Sequence, residues 1–197
     1  MNATARYTRD DVVITTFNSC GDLTRERFKT WALSLKPELD GGEYGADENG
    51  VPYPNSAYLW VLHHNSSEHF TADSVYQTYI AIDKTTGEFL ATGSIVPDDR
   101  DIAKKYKINS KGLWGFANVR RDLRGRGLGT IMFKYRDEQA QKFVDALGEP
   151  CDFSFFTGSE GTIKICTPVG YRFVRQIYVE EFDAHEDLYT KTYTPRR

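Results

Sequence analysis

The stretch Val119-Arg120-Arg121-Asp122-Leu123-Arg124-Gly125-Arg126-Gly127-Leu128-Gly129-Thr130 decides how the rest of the chain is read. Before it, Gly112 to Val119 (GLWGFANV) is short, apolar and bounded by glycine, which predicts a buried strand. After it, Leu128, Ile131, Met132, Tyr135, Ala140, Phe143, Val144 and Leu147 recur at helical spacing, with Lys, Arg, Asp, Glu and Gln between them. Between strand and helix lie three glycines at alternate positions and four arginines, at 120, 121, 124 and 126. A glycine-rich turn feeding a helix N-terminus points several unpaired backbone N–H groups the same way. The helix macrodipole adds partial positive charge there, so the turn suits phosphate.

Two common phosphate loops are excluded by spacing. A Walker loop needs Gly-Lys-Ser/Thr after a four-residue gap, and the dinucleotide fingerprint needs Gly-x-Gly-x-x-Gly; this stretch is Gly-x-Gly-x-Gly. A plain connecting turn is the bland alternative. An Arg-Gly nucleic-acid segment is another, although such segments are usually disordered and this one is clamped between two patterned elements.

The charge balance narrows the classes further. Net charge is −3 in 197 residues, so no global field invites nucleic acid or anionic lipid, and the basic loop is a local feature of an acidic chain. The composition, 40% hydrophobic and 27% charged, is that of a globular domain, and the length suits one domain, or one domain with a long insertion. No apolar run approaches the ~18 residues of a membrane span, and the opening MNATARYTRDD lacks the apolar stretch of a signal peptide. Cys20, Cys151 and Cys166 have no paired spacing and read as free thiols of a reducing cytosol. His63, His64, His69 and His185 lack metal-ligand spacing, so no metal site is expected.

Read in order, residues 11–17 form a first strand. A helix follows with Asp22 as its cap and Leu23, Phe28, Trp31, Ala32 and Leu35 on its buried face. Residues 36–57 read as an exposed loop and 57–64 as a short helix, so 36–73 is an inserted segment. Strands at 74–83 and 88–96 are joined by a hairpin at Lys84–Gly87. After the organising strand, loop and helix come a strand at 151–157, a short helix within 158–169, and strands at 171–182 and 186–193.

The loop resembles the pyrophosphate loop of the GNAT superfamily of acyl-CoA-dependent N-acetyltransferases: Val, four residues, then Arg/Gln-Gly-x-Gly-x-Gly/Ala-Ser/Thr. Val119 and Arg124 to Thr130 match every fixed position. The element order β-α-α-β-β-β-α-β-α-β-β is that of the family over roughly residues 8–194. A weaker likeness lies in the second conserved block: Ser159, Thr162, Ile165 and Gly170-Tyr171 stand at its Asn, Ala, Leu and Gly-Phe, while Cys166 replaces its Tyr.

The resemblance implies a single mixed α+β GNAT domain over 1–197, with a mostly antiparallel twisted sheet of about seven strands splayed between strands four and five. It implies acetyl-CoA as co-substrate and direct attack by a primary amine, with no covalent enzyme intermediate. Pantetheine would pair with Ala117, Asn118 and Val119, and Ser159 would also contact the cofactor. The pyrophosphate would sit on Arg124, Gly125, Arg126, Gly127, Leu128, Gly129 and Thr130. Cys166 is the candidate general acid in place of the family tyrosine, with buried packing as the competing reading; Asp152 is the candidate base. Acids at 43, 47, 48, 98, 99 and 101, with Tyr44, Tyr53, Tyr58 and Trp60, would form an acceptor wall for a cationic amine, either a small molecule or a protein lysine or N-terminus. No nucleic-acid or membrane partner is expected, the compartment is cytoplasmic, and a homodimer is left open. The alternative is a CoA-binding GNAT module without catalysis, acting as sensor or interaction partner.

Overall fold

A computed structural model describes residues 6–35, 74–97, 104–179 and 184–196, with backbone alone at 113–116. The expected loop and short helix at 36–64 and the acceptor-wall residues 43–60 and 98–101 lie outside the described residues. One seven-stranded sheet runs β1 (Val12–Thr16), β2 (Gln77–Asp83), β3 (Phe89–Pro97), β4 (Gly112–Val119), β5 (Cys151–Thr157), β7 (Ala184–Tyr193), β6 (Arg172–Val179), in that spatial order. Every neighbouring pair is antiparallel except β4 with β5. The fold class is therefore the expected one.

Helix α1 (Asp22–Leu33) buries Phe28 and Ala32, whose spacing of four puts both on one face. Two details of the sequence reading are corrected. Gly21, not Asp22, is the N-cap, so Asp22 acts through its charge in the first helical turn. Leu23 is 66% exposed, because position 23 points away from the Phe28–Ala32 stripe. The hairpin between β2 and β3 forms as predicted: the Asp83 carboxylate accepts from the N–H groups of Thr85 and Thr86 at 2.9 and 2.8 Å, and Gly87 takes a φ of +68°.

Helix α2 (Leu128–Leu147) packs across β3 with Leu128, Met132, Phe133, Arg136, Ala140 and Val144 buried. Arg136 is a charged residue on the buried face of this helix. It completes the i, i+4 ladder 128-132-136-140-144, and it is 4% exposed. Its Nη1 donates to the Ser94 carbonyl at 3.1 Å, and its guanidinium lies over the Phe133 ring. Burial pushes its pKa down to about 10, so it stays charged at neutral pH. Gly93 makes room for it, since a methyl there would lie 2.9 Å from Cζ and Nε.

The two faces of the sheet differ. The face under α2 carries the main apolar cluster, including Leu90, Met132, Phe133, Phe153, Phe155, Cys166 and Tyr171. The other face carries two separate clusters, one under α1 (Phe28, Ile80, Phe89) and one of Val96, Tyr106, Ile108, Val179 and Leu188. Between them the β2–β3 surface is polar, with Thr78 and Ser94 hydroxyls 2.9 Å apart. Helix α3 (Glu160–Cys166) ends the segment after β5, followed by a 3-10 turn at Thr167–Val169 and Gly170 at φ +100°. Tyr171 then turns inward, almost fully buried, its hydroxyl 2.8 Å from that of Tyr193.

Candidate functional site

Strand β4 has two unlike edges. Toward β3 it is paired from Gly112 to Val119, with one irregularity where Gly93 alone faces Phe116 and Ala117, a β-bulge on β4. Toward β5 it is paired only at Gly112↔Phe153 and Leu113↔Ser154. Past Leu113 the two strands diverge. This is the splay expected between strands four and five, and it leaves the backbone polar groups of one β4 edge without a strand partner, which a ligand can use. At its end stand Ala117, exposed, Asn118, buried, and Val119, half-buried.

The chain leaves this open edge directly into the glycine-rich turn. A 3-10 turn at Arg121–Leu123 is followed by Gly125 at φ +77° and Gly127 at φ +90°, the N-cap of α2. Both angles are left-handed, which is why glycine stands there. The first bond of the helix is Ile131 N–H to the Gly127 carbonyl at 3.1 Å. Among the described residues, the N–H groups of Gly125, Gly127, Leu128, Gly129 and Thr130 donate no hydrogen bond to protein. Gly127 has no side-chain cap and the first turn of α2 carries no acid, so no acidic side chain of that turn competes for an anion there.

The arginines are arranged differently from the glycines. Arg120 forms a fork with Asp122, both contacts 2.8 Å, and lies 3.7 Å from Glu88. That hydrogen bonding holds the Asp122 carboxyl below its usual range. Arg124 reaches back to the Val119 carbonyl and the Asn118 Oδ1, each at 3.3 Å. Arg126 lies over the Tyr7 ring at 4.6 Å, while its carbonyl accepts from Tyr7 N–H at 2.9 Å. The residues before β1 thus cross the loop, and Arg6 runs alongside Gly127. The backbone supplies the aimed donors; the guanidiniums form a basic rim around them.

The other predicted site residues fall in different places. Ser159 caps α3, its Oγ accepting from Thr162 N–H at 3.4 Å, and sits at the end of β5 beside the opening. Cys166 is 0% exposed, within the main cluster, its Sγ donating to the Ile163 carbonyl at 3.4 Å. Burial pushes the thiol up, so it stays protonated at neutral pH. Asp152 stands at the closed end: its carbonyl accepts from Lys111 N–H at 2.7 Å, and its carboxylate from the Thr192 hydroxyl at 2.5 Å. The bulge lies five strand residues further along, about 16 Å. That separation argues against Asp152 as the base. His185 is on β7, and the other three histidines lie outside the described residues, among which no group of His, Cys, Asp and Glu is arranged to hold a metal. No helix of the described residues is long and apolar enough to cross a membrane.

No protein-family model matches the chain, and no curated protein matches it by sequence. Solved structures do match by shape. The NatC complex bound to Gag peptide and CoA aligns at a TM-score of 0.57 and 13% identity, over 95% of this chain and 99% of that one. Mosquito arylalkylamine N-acetyltransferase like 5b aligns at 0.59 and 11%, over 92% and 99%. A GNAT superfamily phosphinothricin acetyltransferase from Sinorhizobium meliloti, in complex with AcCoA, aligns at 0.57 and 10%, over 93% and 89%. Identities this low carry architecture only, and on that ground the chain has the fold of the GNAT superfamily.

Proposed function

We propose that the protein is an acetyl-CoA-dependent N-acetyltransferase that acylates a primary amine by direct attack in a ternary complex. One observation carries the reading: the strand edge that opens after Leu113 leads straight into a turn whose left-handed glycines leave backbone donors unpaired. A pantetheine arm needs the first, a pyrophosphate the second, and they are one continuous stretch of chain. The complete Arg124-to-Thr130 motif supports the same ligand, as do the CoA and AcCoA named for two of the structural neighbours.

In this reading Gly125, Gly127, Leu128, Gly129 and Thr130 hold the diphosphate by backbone N–H. Arg124 and Arg126 lend charge from the rim. The β4 backbone from the bulge to Val119 pairs with pantetheine, and a bulge N–H meets the thioester oxygen, where charge develops as the amine attacks. Holding both reactants in line is the larger part of such catalysis. The acceptor is a cationic amine, as the overall acidity supports. Three free, buried thiols support a reducing cytosolic setting.

A second reading, CoA binding without turnover, is favoured by Cys166 standing where the resembled family has tyrosine, its S–H turned to its own helix. Calorimetry with CoA followed by thiol release from acetyl-CoA over an amine panel separates the two. Binding with turnover supports the enzyme; binding alone supports the module; no binding removes both.

A further inference from the structure

Beyond the end of β5, across from the open edge of β4, lies a β7 carboxylate that no described residue pairs. Counting forward from Gly112↔Phe153 in parallel register, the bulged residues Phe116 and Ala117 stand level with Thr157 and Gly158. On the far side β5 is paired to β7 with Thr157↔Asp187, so the next residue of β7, Glu186, comes beside Gly158. The side chain confirms it: a methyl on Gly158 would lie 3.6 Å from each carboxylate oxygen of Glu186. Alternation puts Glu186 on the same face as Leu188 and Phe156, away from α2. This is also the face that carries the polar Thr78–Ser94 strip.

Glu186 is half-buried, with Gly158 on one side and Ile177 paired on the other. Among the described residues it accepts no hydrogen bond and meets no cation. Partial burial without a described partner disfavours the charged form and leaves the carboxylate able to take an outside cation. Burial, with a smaller push from the Asp187 charge, raises its pKa above the ordinary glutamate value. A base nearer the working pH is the better proton acceptor.

We propose that Glu186 binds the ammonium of the acceptor and is the base that deprotonates it. The proposal rests on the acetyltransferase reading and adds the acceptor side of the site. One N–H proton of R–NH3+ passes to the Glu186 carboxylate, leaving a free amine lone pair. That pair forms the C–N bond to the thioester carbon, and the carbonyl oxygen takes the negative charge at the bulge. The C–S bond then breaks, and the second ammonium proton goes to the departing thiolate. The products are the amide, CoA thiol and a proton that Glu186 returns to solvent. A cationic primary amine fits this device; an acceptor whose own carboxylate would lie near Glu186 does not.

The test uses the full chain with acetyl-CoA and three acceptors, spermidine, tyramine and a lysine-containing tetrapeptide, reading thiol release. Glu186→Gln keeps the shape and loses the charge. It should melt within a few degrees of the wild type, bind CoA with unchanged Kd, and lose about 100-fold in kcat, the scale of a general base. Glu186→Asp should recover part of that loss. A Gln variant with kcat within about threefold of the wild type on its best acceptor overturns the proposal and leaves the acetyltransferase reading intact. A wild type that binds CoA but acylates none of the three overturns both, whereas failure to bind CoA would remove the ligand reading itself.

Discussion

The two edges of β4 are made of the same eight residues, yet one is closed and the other open. Toward β3 the pairing runs the length of the strand and tolerates a bulge; toward β5 it ends after two residues. The closed edge is held from beneath by Arg136, which grips the Ser94 carbonyl under Gly93, opposite the bulge. The open edge has no such tie and ends in a turn with unspent donors. The difference teaches that this candidate site is made by withholding pairing. Ordinary sheet bonding on one side fixes the strand so that the other side can serve a ligand.

The strongest way to break this comparison is at the exit of the open edge. Gly127→Asp puts a side chain and a negative charge where phosphate must lie, on a residue at φ +90° already against Arg6. CoA affinity should fall about 1000-fold or more by calorimetry, while the fold persists by circular dichroism. Unchanged affinity in a folded variant would remove the loop from the ligand site. Next in size is the short paired stretch of β4 with β5. A methyl on Gly112 would lie 2.6 Å from Cε1 of Phe153, a ring with 0% exposure that Phe143 and Tyr193 hold edge-on. Gly112→Ala should cost about 3 kcal/mol in denaturant unfolding, the upper part of the overpacking range.

The closed edge is probed by a coupled pair. Gly93→Ala should cost about 2 kcal/mol, because the methyl meets the Arg136 guanidinium at 2.9 Å. In an Arg136→Met background the same change should cost about half as much, since a thioether can move aside. Equal costs in both backgrounds would show that Gly93 is needed for another reason. A smaller effect is expected at Cys166. Cys166→Ala should lose about 1 kcal/mol and keep most of kcat, as fits a packed thiol; a fall of about 100-fold would make it the general acid instead. Because burial raises its pKa, iodoacetamide should label the native thiol far more slowly than the unfolded one at pH 8. Smallest of all is Gly129→Ala. Its added methyl would meet Ile165 Cδ1 at an ordinary 3.6 Å, so stability should change by under about 0.5 kcal/mol, with CoA affinity preserved.

What the sequence determined by itself was local. The turn at 119–130 was legible because left-handed glycines and a helix start are properties of consecutive residues, and the flanking strand and helix announce themselves by period. Gly170-Tyr171 was legible only through its likeness to the second conserved block, and the structure puts Gly170 in the left-handed region there. Leu23 was misread because one short helix offers more than one apolar stripe and only contact with β3 selects between them. Asp152 was read by strand number alone, with nothing to say at which end of β5 the strands part. Arg136 had a visible position in the four-residue ladder, but a charged residue there reads as surface until the β3 carbonyl and the glycine that receive it are known. Glu186 carried no motif at all. Its place beside Gly158 depends on β7 returning between β5 and β6, a pairing of residues nearly thirty apart that tertiary structure alone decides. Sequence periodicity fixes which side of a strand faces in; only the choice of neighbouring strands fixes what that side will face.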